Sequence, residues 1–216
     1  MRSSKPAVPT AASYLPRHPT VEKLRAAAMG CRGCHLWERA TQTVFGEGHP
    51  GLEVMLVGEQ PGDQEDRHGH PFVGPAGRIL NFALEKAGID RSQVYVTNAV
   101  KHFKFEPRGK RRIHKKPNMQ EIRACRPWLE AEIDVVQPKV IVCLGATAAQ
   151  SLLGSQFRLT ESRGRLLPSP FGQAVLATVH PSSLLRAPDE TTRRIGLEMF
   201  VHDLVVAREA VTATAA

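Results

Sequence analysis

Residues 54–62 read Val-Met-Leu-Val-Gly-Glu-Gln-Pro-Gly, four consecutive apolar residues running straight into a glycine- and proline-dense turn. A run that short and that continuous, rather than alternating, predicts a strand buried on both faces. The pattern recurs at residues 94–97, 140–143 and 174–178. Helical patterns fill the intervals: residues 20–29, 75–86 with Gly88 past the end, 118–133, 146–153, and 189–209 with Asp189 as candidate N-cap. Strands alternating with helices predict an α/β fold, a three-layer α/β/α sandwich around a central, mostly parallel four-stranded sheet. Residues 1–18 read as a loose tail, residues 19–210 as one domain, and the last six residues as a fraying end. No internal repeat interrupts the domain.

Composition narrows what such a domain does. The 216 residues carry 29 Lys and Arg against 21 Asp and Glu, a formal charge of +8, which favours a polyanionic partner. With 42% hydrophobic and 23% charged residues, the chain is neither disordered nor membrane-spanning, since nothing approaches about 18 uninterrupted apolar residues. The polar, proline-bearing start has no signal-peptide core, so a cytosolic location is expected, in which four cysteines point to metal chemistry before disulfides.

Ligands of a parallel sheet sit beyond the carboxyl ends of its strands. There the sequence offers Gly58-Glu59-Gln60-Pro61-Gly62, Asn98-Ala99-Val100-Lys101, Gly145, and His180-Pro181-Ser182-Ser183. Glu59 is a carboxylate at a strand end, although single acids in loops are usually caps. Asn98 has both the donor and the acceptor that a nucleobase edge demands, yet an Asn closing a strand is more often a turn former. Phe72, among glycines in a polar loop, suits a flat platform for a base. His180 can donate to a developing negative charge, with Pro181 fixing the backbone after it. The segment 101–116 holds eight Lys or Arg against one Glu, a density that suggests phosphate contacts, although a charge run alone is usually a solvated loop. Cys31-x-x-Cys34 followed by Cys125 and Cys143 suits zinc or an iron–sulfur cluster, against the plain alternative that the last two are packed in the core.

Taken together, Gly58-Glu-Gln-Pro-Gly62, Gly69-His-Pro-Phe-Val-Gly-Pro-Ala-Gly77, Thr97-Asn-Ala-Val-Lys101, Ala124-Cys-Arg-Pro-Trp-Leu129 and His180-Pro-Ser182 resemble the uracil-DNA glycosylase superfamily, most closely its iron–sulfur-bearing family four. The resemblance covers about residues 20–208. It implies a [4Fe-4S] cluster on Cys31, Cys34, Cys125 and Cys143, with uracil bound by Gly58, Gln60, Phe72 and Asn98. Glu59 and His180 would be catalytic. Two departures, the extra residues Gly109-Lys-Arg-Arg-Ile-His114 and Gln60 in place of a small residue, resemble the UdgX branch, whose members capture uracil-containing DNA covalently through the histidine of such a loop. That implies His114 as nucleophile, with Lys110, Arg111, Arg112 and Ser182 toward the DNA, and single- or double-stranded uracil-DNA as partner of a monomeric protein.

Overall fold

The computed structural model describes residues 9–213. Its elements follow in the order α1 (Val21–Ala28), β1 (Val54–Gly58), α2 (Asp63–His68), α3 (Pro75–Lys86), β2 (Val94–Asn98), β3 (Phe105–Arg108), β4 (Arg111–His114), α4 (Met119–Val136), β5 (Val140–Leu144), α5 (Ala146–Leu153), α6 (Leu159–Ser162), β6 (Leu166–Pro168), β7 (Ala174–Thr178), α7 (Pro181–Leu184) and α8 (Glu190–Ala213). The four expected apolar runs are β1, β2, β5 and β7, pairing in parallel in the order β2-β1-β5-β7. The sheet has a fifth strand where four were expected: β6 pairs antiparallel on the outer edge of β7. Its three residues end in Pro168, a length and composition that carry no strand signal and that only an edge tolerates.

Alternate residues of each strand feed different layers, which is why the runs are apolar throughout. Val54, Leu56, Val94, Val96, Val140, Val142 and Leu176 pack with Leu80, Leu84, Phe200 and Leu204 of α3 and α8. Met55, Val57, Tyr95, Ile141, Cys143 and Val175 pack with Leu129 and Ile133 of α4 and Leu152 of α5. A third cluster joins Leu24 and Ala28 of α1 to Cys31, Phe45, Cys125 and Trp128. Burying a large apolar side chain contributes about 1.5–3 kcal/mol, so the three clusters are the fold's main support.

Asn118 and Glu121 form a reciprocal capping box that starts α4, and Asp189 caps α8 through the Thr192 amide at 2.7 Å. At the chain ends the structure revises the expectation. Residues 1–8 and 214–216 lie outside the described residues, but Ala11, inside the expected tail, is fully buried on the third cluster, and α8 runs to Ala213 with Val211 buried. No helix among the described residues is long and apolar enough to cross a membrane.

Candidate functional site

The carboxyl edge of the sheet opens into a cleft of about 720 Å3 lined by Glu59, Phe72, Asn98, His114, Gly145 and His180 among others. The helices α3 and α5 begin at its wall with Pro75, Ala76, Ala146 and Thr147, so the positive dipole ends of both lie at the cleft. Such a cleft is suited to a group that gains negative charge.

Phe72 is held in a left-handed conformation, φ +57°, that a bulky residue adopts only when its surroundings impose it. Two glycines permit this. A Cβ at Gly77 would stand 1.7 Å from the Phe72 carbonyl oxygen, and one at Gly58 would stand 2.2 Å from Asn98 Oδ1 and 2.7 Å from Phe72 Cζ. Gly58 therefore leaves the space that Phe72 and Asn98 need where they line the cleft. The Phe72 and His180 rings lie 6.0 Å apart at 31°, two walls of one slot. Burial, with help from nearby His114 and Arg186, pushes the His180 pKa down to about 4, so its ring is neutral at physiological pH. Its Nδ1 accepts from the Ser182 amide at 3.2 Å and meets Ser182 Oγ at 2.8 Å, which places the remaining proton on Nε2. His180 is thus a neutral donor, and Ser182 serves that histidine directly.

The basic segment 101–116 is a hairpin. The pairs Phe105↔His114 and Arg108↔Arg111 enclose a two-residue Gly109-Lys110 turn, with Gly109 at φ +58°. Period-two alternation then sorts the basic residues: Arg112 and His114 share one face, while Arg111 and Ile113 share the other. Lys110 and Arg111 are exposed at the tip. Arg112, grouped with the DNA contacts and expected to brace the loop against a phosphate or the pocket wall, braces it as a clamp within the protein. Its Nε donates to Asp63 Oδ1 at 2.5 Å, Nη1 to Asp66 Oδ2 at 2.5 Å and Thr41 Oγ1 at 3.0 Å, and Nη2 to the Asp63 carbonyl at 3.2 Å. The guanidinium also lies over the Phe103 and Phe105 rings. Gln60, expected at uracil, does line the cleft, and its side-chain amide fastens the same hairpin. It donates to the carbonyls of Lys104 and Lys115 at 3.2 and 3.1 Å and accepts from the Lys104 amide at 3.1 Å. Fastened so, His114 presents Nε2 to Glu59 Oε1 at 3.5 Å, with its side chain half exposed at the cleft mouth. Burial lowers its pKa, Glu59 opposes that and Arg186 adds to it. The spacing Asp63-x-x-Asp66, one face of a helix, was the available signal for the clamp; Arg186 and Lys101 had none within a basic chain.

Cys31, Cys34 and Cys125 come together, and Cys143 does not. Cys31 and Cys34 flank Cys125 closely enough to act on its ionisation, Trp128 Nε1 donates to Cys31 Sγ at 3.3 Å, and the Lys101 amide donates to Cys125 Sγ at 3.3 Å. Donors aimed at sulfur suit thiolates, whereas burial pushes the Cys125 thiol up to about 12, so a bound cationic centre is what would ionise it. The sulfurs are gathered without being closed: among the described residues no three His, Cys, Asp or Glu stand in ion-binding geometry. Cys143 lies in the middle layer of β5 between Val57 and Ala177, in a different core cluster. Three of the four expected ligands are therefore gathered in one place, and the fourth is packed in another core cluster.

These features define an α/β protein with a cleft at the carboxyl edge of its sheet, lined by an aromatic ring, an amide, a carboxylate and two imidazoles. Residues 45–203 match the family model described as the uracil DNA glycosylase superfamily, and the chain belongs to that family. A type-4 uracil-DNA glycosylase of Thermotoga maritima is 40% identical over 169 residues, covering 78% of this chain and 84% of its own. One from Sulfurisphaera tokodaii is 37% identical over 178 residues, 79% and 78%. A type-5 uracil-DNA glycosylase of Thermus thermophilus is 32% identical over 197 residues, 82% and 83%.

Proposed function

We propose that this protein excises uracil from DNA and, as in the UdgX branch, becomes joined through His114 to C1′ of the vacated sugar. The observation that carries this reading is the placement of His114 Nε2 at 3.5 Å from Glu59 Oε1, on a hairpin held in place by Arg112 and Gln60. The target nucleotide leaves the stack at a cost of about a few kcal/mol, least in single strands. Uracil lies against Phe72, Asn98 reads its edge, and His180 Nε2–H donates to an oxygen as the C1′–N1 bond breaks and its electron pair stays on the base. The sugar becomes oxocarbenium-like, and the Glu59 carboxylate stabilises it. His114, with its proton on Nδ1, attacks C1′ through the Nε2 lone pair. The Nδ1 proton then leaves to solvent and solvent returns one to uracil, which balances the step. Lys110 and Arg111 meet phosphates beside the site. Cys31, Cys34 and Cys125 would hold an iron–sulfur cluster whose contribution is to fasten the fold, because base excision transfers no electrons.

The names of the type-4 relatives favour a second reading, a conventional glycosylase that turns over with water. Mixing the protein with a uracil-containing oligonucleotide and running a denaturing gel separates the two. A shifted band that disappears in His114→Gly, with free uracil released over repeated turnovers instead, is the expected result. A wild type that yields only abasic DNA supports the conventional reading, and an adduct that persists in His114→Gly removes His114 from the chemistry. His180→Ala should slow cleavage itself by about 10²-fold or more.

A further inference from the structure

We propose that Lys101 is a positioning residue for Asn98, and that its buried pair with Glu132 ties the base-reading end of β2 to the helix carrying Cys125; the inference rests on the reading of Asn98 given above. Lys101 and Glu132 are both completely buried. An ammonium without water must satisfy three protons, and here it does so fully: Nζ donates to Thr97 Oγ1 at 2.7 Å, to the Asn98 carbonyl at 2.7 Å and to Glu132 Oε2 at 2.5 Å. The carboxylate is equally satisfied, by Tyr95 OH at 3.0 Å, Thr97 Oγ1 at 2.9 Å and the Gly46 amide at 3.2 Å. Replacing such a pair by apolar residues of similar volume is often neutral for stability, so burial of both charges calls for a reason other than folding energy.

The reason lies in what the pair touches. The strand β2 is outermost in the sheet, and its bridge to Glu47 stops at Val96, so Lys101 supplies a donor to the Asn98 carbonyl beyond that point. The same residue's amide donates to Cys125 Sγ. Cys125 and Glu132 are seven residues apart on α4, two turns along one face. The segment 97–101 is therefore pinned to α4 twice, through Lys101 backbone and side chain, and Asn98 lies between the pins and the cleft. The charge order is also fixed: the ammonium touches Asn98, and the carboxylate is held on the side of Tyr95 and Gly46.

The test is the double variant Lys101→Met/Glu132→Gln, which removes both charges together and leaves no lone buried ion. Folding is followed by thermal melting, binding by affinity for a uracil-containing single-stranded oligonucleotide, and chemistry by uracil release in a single turnover at saturating protein. The expected result is a folded protein that binds within about threefold of wild type but releases uracil about tenfold or more slowly, the loss that follows from misplacing a reader by a fraction of an ångström. Wild-type release by the folded double variant would overturn the inference. If that variant does not fold, Lys101→Arg keeps the charge and replaces three tetrahedral donors by a planar fork; release at the wild-type rate there would be equally fatal. A wild type that releases no uracil at all sinks the functional reading itself, and the inference with it.

Discussion

Arg112→Ala should free the β3–β4 hairpin while leaving the sheet intact. Asp66 is fully buried, and without Arg112 its carboxylate keeps the Thr41 amide, at 3.0 and 3.1 Å, as its remaining partner. Removing one member of a buried pair costs about 3–5 kcal/mol, and the surviving amide argues for the lower end. Asp63, a third exposed, adds at most about 1 kcal/mol. The guanidinium is on the hairpin and both carboxylates are on α2, so the loss falls on the contact between those two elements. At about 1.4 kcal/mol per tenfold, a loss of about 3 kcal/mol makes hairpin opening about 100-fold more frequent. Hydrogen exchange read by mass spectrometry should show residues 105–114 exchanging faster by about that factor, with peptides from β1 and β5 as unchanged internal controls. Formation of the His114 adduct should fall alongside. Arg112→Lys should not rescue, because three ammonium protons on a single nitrogen cannot reach the four acceptors the guanidinium fork spans, the Asp63 carboxylate and carbonyl, Asp66 and Thr41. Unaltered protection of residues 105–114 in Arg112→Ala would refute the clamp.

The cysteines give a sharper division than their spacing did. Iron content should fall in Cys31→Ser and Cys125→Ser and stay at the wild-type level in Cys143→Ala; loss of iron in the last would return Cys143 to the ligand set. Burial lowers the His114 pKa from its ordinary value, and protonation removes the lone pair, so adduct formation should decline as pH falls, with a midpoint below the ordinary histidine value of about 6.5. An apparent midpoint above 6.5 would contradict the burial of that ring. Replacing Lys110 and Arg111 together by Ala should flatten the salt dependence of duplex binding by about 1.8 in log affinity per decade of salt, at about 0.9 per phosphate, and an unchanged slope places the hairpin tip away from DNA.

The sequence by itself determined the four parallel strands and the residues at their carboxyl edge. Strands buried on both faces announce themselves as short unbroken apolar runs, and β1, β2, β5 and β7 each lie where such a run was read. The polar residues after them converge because a parallel sheet has one carboxyl edge, so Glu59, Asn98 and His180 share a cleft that no local spacing encodes. What only the tertiary structure decided were side-chain assignments within segments that look uniform. Lys110, Arg111, Arg112 and His114 read as one basic run, yet the hairpin register sends Arg112 inward to two aspartates and leaves its neighbour Arg111 in solvent. Gln60 lines the cleft as expected, but its side-chain amide is bonded to the hairpin's carbonyls, a use no local pattern announced. Cys143 counts as a fourth ligand by number and as a core residue by position, because the face on which a strand residue emerges, and what waits there, is set by partners far away in the chain. Lys101 is the extreme case: in sequence it is one more lysine of a basic stretch, and in the fold it is fully buried, since only α4 brings the carboxylate that makes a charge tolerable there.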